Sequence, residues 1–356
     1  MKSNYRYIVK AFMAMAVIAG TTSCDDFLDR EPMSSISPET YYSTAAQLEA
    51  NLNDEYPNVL PSFGQWTYGI FGEDKGTDNQ IEVNANDRYT QDRWKVPHSE
   101  SDNWKFERIY RINFFLSEAL PKFGEDMSGS QNTISGSVAT IKHYIGEMYF
   151  LRAYEYFKKL QLFGDFPIIN QPLADEMEAL REASKRFPRN EVARFIISDL
   201  DKAYAYMSDV DMATTRINKD AAMLVKSRVA LFEATWLQNF KGTAFVPGGE
   251  GWPGASLHNN YQYPSGNLDN EVKYFLEQAV EASKLVADKY KGNLTENTGV
   301  LQQSADDPSN PYFDMFAQED LSDVKEVLLW RQYARGLSTH NINAAAGRGN
   351  YRIGLT

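Results

Sequence analysis

The sequence of 356 residues contains a single cysteine and only four histidines. One cysteine cannot form a disulfide within the chain, so Cys24 needs another explanation in an exported protein. The histidines are scattered, and none forms an HExxH pair or stands at metal-ligand spacing with acidic residues. The sequence also lacks a GxSxG elbow, a P-loop and a GxGxxG turn after a strand. These absences argue against metal-dependent hydrolysis, nucleophilic catalysis and nucleotide binding.

Basic residues are also fewer than acidic residues. The chain has 36 Lys and Arg against 48 Asp and Glu, which gives a net charge of −12. Nucleic acids and anionic membranes need a basic surface, so neither is an expected partner. Aromatic residues, by contrast, reach 13% of the chain. Such a content indicates either large side chains packed between helices or flat rings on which a ligand stacks.

The N-terminus has the pattern of a leader segment. Lys2, Arg6 and Lys10 precede a short apolar run at 11–20. Ten residues at 1.5 Å each cover about 15 Å, half of a bilayer core of roughly 30 Å. The run therefore predicts a signal peptide rather than a membrane span.

Cys24 follows the small residues at 21–23, which is typical of a lipoprotein cleavage site. We expect residues 1–23 to be removed, Cys24 to carry the lipid, and residues 24–36 to act as a tether. Several acyl chains would anchor the protein firmly to a membrane. An ordinary secretory signal with a chance cysteine is the alternative.

Apolar periodicity predicts a mainly α-helical fold. Helices are expected at 38–53 with Ser37 as the N-cap, at 102–121 with Asp102 as the cap, and at 132–163, 189–207, 218–239 and 269–290. The segment 324–330 is the best strand candidate, with a short helix as the alternative. Helix pairs at this spacing resemble tetratricopeptide-like repeats, which predicts a helix-pair scaffold with long irregular loops and little β structure.

Two irregular regions carry the mixture of rings and polar groups that sugars need. Sugar rings stack on aromatic planes, and their hydroxyls bind acids, amides and guanidinium groups. The candidate ligand-binding residues are Trp66, Asp74, Asp78, Tyr89 and Trp94 in the first region, and Tyr333, Arg335 and Asn341 in the last. Each aromatic could instead anchor its loop, and Asp74 with Asp78 could belong to a Ca²⁺ loop, although the EF-hand pattern is absent. Trp104, Tyr110 and Trp236 are expected in the core.

Several segments resemble, in order along the chain, those of one family. They are Cys24-Asp25-Asp26-Phe27-Leu28, Trp104 with Ile109-Tyr110, Gly146-Glu147 through Arg152-Ala153 to Phe163-Gly164-Asp165-Phe166-Pro167, Pro188-Arg189 with Asp199-Leu200, Arg216-Ile217-Asn218-Lys219, and Pro311-Tyr312-Phe313. Together they are similar to the SusD/RagB family of surface lipoproteins. The spacing after Trp104 departs from the family pattern, and no Asn follows Ile112 at the expected distance.

The resemblance implies a helical, non-catalytic lipoprotein on the outer face of the outer membrane, without a cofactor. Its partner would be a SusC-like TonB-dependent transporter, to which it presents an oligosaccharide or, in some members, a peptide. One SusD-like domain is expected over 37–356, with the C-terminal part of the family fold missing from a fragment or truncated gene product. A glycan-cleaving enzyme stays open as an alternative, because 48 acidic residues could supply a carboxylate pair.

Overall fold

The structure is a computed structural model, and it describes residues 41–60, 80–82, 103–124, 126–208, 212–301, 304, 306–333 and 353–355. Its helices are α1 (Ala45–Val59), α2 (Glu107–Phe123), α3 (Val138–Phe163), α4 (Met177–Ala183), α5 (Arg189–Tyr206), α6 (Lys219–Asn239), α7 (Leu268–Tyr290) and α8 (Pro311–Ala317). The strands are β1 (Gln80–Glu82) and β2 (Ile353–Leu355). The expected fold, mainly helical with little β structure, is confirmed for these residues.

The start of α1 corrects the first predicted helix. Residues 41–43 are not helical, and Thr44 caps α1 in place of Ser37, which lies outside the described residues. The Thr44 hydroxyl accepts a hydrogen bond from the backbone of Gln47, whose side chain accepts one from the backbone of Thr44. This reciprocal capping box satisfies two backbone donors that the helix itself leaves unpaired. The helix also continues through Pro57, because its last turn is held by buried Val59 and by tertiary contacts of Tyr56.

Helix α3 forms the centre of the molecule. It packs against α1 and α2 on one side and against α5 on the other, and most of its residues are buried. Its predicted C-terminus is confirmed at Gly164, whose positive φ of 66° is a conformation that glycine adopts without strain. Its N-terminus lies at Val138 rather than near 132, with the Ser137 side chain as the cap.

The helices α5, α6 and α7 extend this core in sequence. Helix α5 packs on α3, α6 packs on α5, and α7 packs along α6. The close approach of α3 and α5 depends on Gly146, since a Cβ atom there would lie 2.8 Å from the Met207 backbone nitrogen and 2.9 Å from the Ala203 carbonyl oxygen. The predicted bounds of α5, α6 and α7 agree with the structure to within one residue.

Other details of the sequence prediction are wrong. Helix α2 begins at Glu107, and its N-cap residue Phe106 makes no side-chain capping bond, while Asp102 lies outside the described residues. Tyr110 is 51% exposed, because Ile109 and Ile112 already fill the side of α2 that faces the core. Trp104 and Trp236, by contrast, pack against the core as expected.

The predicted strand at 324–330 is also incorrect, since the structure forms turns there. These turns are closed by backbone hydrogen bonds from Val324 to Leu321 and from Val327 to Val324. The short helices α4 and α8 were not predicted. Neither is longer than 7 residues, and such a length carries too few turns for a clear helical period.

Candidate ligand-binding face

Most of the predicted ligand-binding residues lie outside the part of the chain that the structure describes. These are Trp66, Asp74, Asp78, Tyr89 and Trp94 of the first region, and Arg335 and Asn341 of the last. The predicted lipidation site Cys24 lies outside it as well. Tyr333 is described, and its side chain is partly exposed.

The strand pair β1–β2 brings the two predicted regions together. Strand β1 lies within the first region and β2 within the last. They pair antiparallel, with Gln80 opposite Leu355 and Glu82 opposite Ile353. Backbone pairing at this point joins segments that are more than 270 positions apart in sequence. The pairing places residues 80–82 of the first region beside residues 353–355 of the last.

The residues just before the last irregular region are hydrogen-bonded to the segment at the start of α6. The backbone N–H of Trp330 donates to the Thr214 carbonyl at 3.1 Å, and its indole N–H donates to the Thr214 hydroxyl at 2.8 Å. The Asn218 side chain, which caps α6, also donates to the Leu328 carbonyl at 2.6 Å. Three hydrogen bonds thus hold the chain just before Tyr333. Sequence reasoning missed this latch, and it placed Asn218 inside the predicted helix at 218–239 rather than at its cap.

Behind this latch lies a buried ion pair between α3 and the segment that precedes α6. The Arg216 guanidinium donates to both carboxylate oxygens of Glu147, at 3.0 and 2.8 Å. The Tyr56 hydroxyl of α1 donates to Glu147 at 2.5 Å and accepts the Ile217 backbone N–H at 2.9 Å. Burial and the nearby carboxylate raise the pKa of Tyr56, so its hydroxyl keeps the proton that it donates. Three separate segments are locked together at one carboxylate.

A second buried pair joins α3 to α5 and α2. Arg152 donates to both oxygens of Asp199, at 2.7 and 2.8 Å, and to the Asn113 side chain at 2.9 Å. The Asn113 amide in turn donates to the Ile169 carbonyl at 2.9 Å. Bidentate charge-assisted contacts of this kind fix geometry as well as adding binding energy. Asn113 thus joins α2 to this network.

A third network attaches the long loop between α6 and α7. The Trp252 indole donates to the Asp165 carboxylate at 2.8 Å, and the backbone N–H of Arg189 donates to the same carboxylate at 2.9 Å. Burial raises the pKa of Asp165, while these two donors oppose the shift. The Arg189 side chain is paired with buried Glu233. Trp252 is 5% exposed, so this aromatic anchors the loop and does not face a ligand.

These networks limit the chemistry that the scaffold can perform. The carboxylates of Glu147, Asp199 and Glu233 are buried, and each is held by an arginine. A general acid or base must reach the substrate, and none of these three does so. Within the described residues there is no cluster of His, Cys, Asp and Glu suited to a metal ion. No helix in the described part is long and apolar enough to cross a membrane.

Comparison with known proteins identifies the scaffold. Residues 26–231, more than half of the chain, match the model of a SusD-like family described as "Starch-binding associating with outer membrane". The chain belongs to the SusD-like family. The family predicted from the sequence motifs is thereby confirmed. In this SusD-like protein, the motif residues Glu147, Arg152 and Arg216 hold helices together.

Curated relatives and a solved structure give the extent of the likeness. SusD-like protein P25 of Formosa agariphila is 25% identical over 233 residues, covering 60% of this chain and 41% of the relative. SusD-like protein P2 of the same organism is 25% identical over 253 residues, covering 68% and 46%. A SusD-like carbohydrate binding protein from Bacteroides fragilis NCTC 9343 has a TM-score of 0.44 at 15% identity, covering 72% and 42%. The chain spans less than half the length of each of these proteins.

Proposed function

We propose that the protein is a non-catalytic lipoprotein of the cell surface that captures an oligosaccharide or polysaccharide and delivers it to a SusC-like TonB-dependent transporter. The observation that carries this proposal is the family match over residues 26–231, with its description as starch-binding and associated with the outer membrane. The predicted leader at 1–23, directly before Cys24, supports the lipid anchor. The β1–β2 pair supports one ligand-binding face made from the two irregular regions.

Glycan binding is tested by electrophoresis of the whole mature protein in gels that contain starch, laminarin or other polysaccharides. We expect retardation on at least one polymer. Replacing Tyr89 or Trp94 by alanine should weaken binding about tenfold, which corresponds to the loss of one stacking contact of about 1.4 kcal/mol. The matched control is Tyr110→Ala, because Tyr110 is an exposed tyrosine on α2, outside both irregular regions.

The outcomes separate the alternatives. Retardation on every gel equal to that of bovine serum albumin would contradict glycan capture. If the protein binds no polysaccharide but releases heat on titration with a mixed peptide pool, its ligand is a peptide. Release of reducing ends from a polysaccharide by the purified protein would contradict the non-catalytic role. Co-purification of a tagged version with a transporter of the outer membrane tests the delivery step, and the absence of any such transporter would contradict it.

The lipid anchor has a separate test. Cells that express the full chain are labelled with radioactive palmitate and then fractionated. We expect label on the protein and its recovery with membranes, and Cys24→Ala should abolish both. Ser34→Ala, a change of similar size within the proposed tether, is the control and should leave both unchanged. An unlabelled protein, or a Cys24→Ala variant that stays with the membranes, would contradict the anchor.

A further inference from the structure

An open groove lies on the scaffold between α5 and α7. It has a volume of about 330 Å³, and Met127 is among the residues that line it. Pockets for small ligands usually enclose roughly 300–1,000 Å³, so this groove is at the lower end of that range. Its lining includes a tyrosine ring, a serine, an acid and two bases. Nothing in the proposed capture by the two irregular regions uses these residues.

One wall of the groove is a tyrosine ring that is held rigidly. The Arg194 guanidinium carbon lies 3.7 Å from the centroid of the Tyr274 ring, over one of its faces. Arg194 is fixed in turn by Glu271, to which it donates at 2.7 and 2.8 Å. The Tyr274 hydroxyl has no hydrogen-bond partner among the described residues. A fixed aromatic wall with an unused hydroxyl is preorganised for a ligand, because little side-chain freedom is left to lose.

Ser198, Asp201 and Lys202 of α5 also line the groove and offer donors and acceptors side by side. Ser198 is exposed, and its hydroxyl makes no hydrogen bond within the described chain. One oxygen of Asp201 accepts Lys226 at 2.7 Å, which leaves its second oxygen available. The Lys202 ammonium lies 3.8 Å from an Asp199 oxygen that already accepts a hydrogen bond from Arg152, so it keeps donors for another group.

Two of the three charged side chains in the lining have a hydrogen-bonded partner of opposite charge within the protein. Arg194 is paired with Glu271, and Asp201 with Lys226. An anionic ligand would meet the Asp201 carboxylate, and a cationic ligand would meet the two bases. A neutral ligand whose groups both donate and accept hydrogen bonds satisfies both kinds of partner.

We infer that the groove is a second binding subsite for one or two neutral sugar units, lined by residues that do not belong to the two irregular regions. Sugar hydroxyls would bind the unused groups of Ser198, Asp201 and Lys202, and the C–H face of the ring would lie on Met127. This inference rests on the proposed glycan-binding function. Two subsites on one body raise the retention of a long glycan, because the second contact forms at a high effective concentration.

The test uses the whole mature protein with ¹³C-labelled methionine methyl groups and observes them by NMR. Maltohexaose and laminarihexaose are the neutral probes, and tetragalacturonate is the anionic one. We expect the Met127 signal, assigned from Met127→Leu, to shift progressively with a neutral probe and not with the anion. The signal of Met148, which is buried in α3, should stay unchanged.

A pair of variants places the shift in the groove. Ala205 lies exposed in the lining, and Ala205→Arg should fill the groove and abolish the Met127 shift. Ala287→Arg changes an exposed alanine of α7 outside the lining and should leave the shift intact. An unmoved Met127 signal would overturn the inference, as would a shift that Ala205→Arg leaves in place. Gel retardation that persists in that case would show that the proposed function stands and only the subsite fails.

Discussion

The buried pair of Arg152 and Asp199 gives the sharpest prediction for the scaffold. The two side chains are 4% and 0% exposed, and two short hydrogen bonds join them. Replacing Arg152 by methionine preserves much of the apolar stem but leaves a carboxylate in the core without its main partner. Breaking a buried pair in this way costs about 3–5 kcal/mol. We expect a loss of that size in the free energy of unfolding.

Urea denaturation of the mature protein, followed by circular dichroism, measures the loss. The matched control is Lys284→Met, because Lys284 also pairs with an aspartate on a helix, but its side chain is 70% exposed and that of Asp288 is 52% exposed. An exposed pair of this kind contributes about 0.3–0.5 kcal/mol. The double variant Arg152→Met/Asp199→Leu should be more stable than Arg152→Met alone, since it also removes the unpaired charge. Equal losses in Arg152→Met and Lys284→Met would refute the reasoning.

Three further changes test other parts of the scaffold. Gly146→Ala should lower the free energy of unfolding by about 1–3 kcal/mol, because the added Cβ atom would meet backbone atoms. Gly292→Ala is the control, since a Cβ atom there meets open space and should leave the free energy of unfolding unchanged. Urea denaturation of the two variants compares them. Burial raises the pKa of Glu271, but hydrogen bonds from neighbouring side chains outweigh this and lower the pKa below its ordinary value of 4.5. The wild-type protein should therefore lose stability as the pH falls from 4.5 through this lowered pKa. Glu271→Gln should lose less stability over the same range, and a pH profile equal to that of the wild type would contradict this prediction. Thr214→Val should cost about 1 kcal/mol by removing the indole bond of Trp330, and a red-shifted Trp330 fluorescence should report the opened latch.

The long helices could be predicted from the sequence because each has a clear period and a terminal signal. Gly164 ends α3 as predicted, and the predicted bounds of α5, α6 and α7 lie within one residue of those in the structure. The predicted start of α1 was wrong because two capping signals lie close together in the sequence. Ser37-Pro38 resembles a helix start, but Thr44 forms a reciprocal bond with Gln47, which the apolar pattern does not show.

The polar core was harder to predict than the apolar one. Burial of charge depends on a partner from a distant segment, and periodicity within one helix does not reveal that partner. Asn113 and Arg152 are 39 positions apart, and Tyr56 and Glu147 are 91 apart. The same limitation applies to the candidate face. The sequence identified its two regions as rich in rings and polar groups, but it did not predict the pairing of β1 with β2, which joins them within the described residues.

The family motifs and the candidate ligand contacts are therefore different residues with different physical roles. The motif residues Glu147, Arg152 and Arg216 are buried or nearly so, and their partners come from other helices. A change at such a position leaves a charge without its partner in the core and destabilises the scaffold, whichever ligand the protein binds. Residues on exposed loops can change without that penalty. The residues that identify the family thus say little about which ligand is bound, and variants in the two irregular regions and in the groove are needed to identify it.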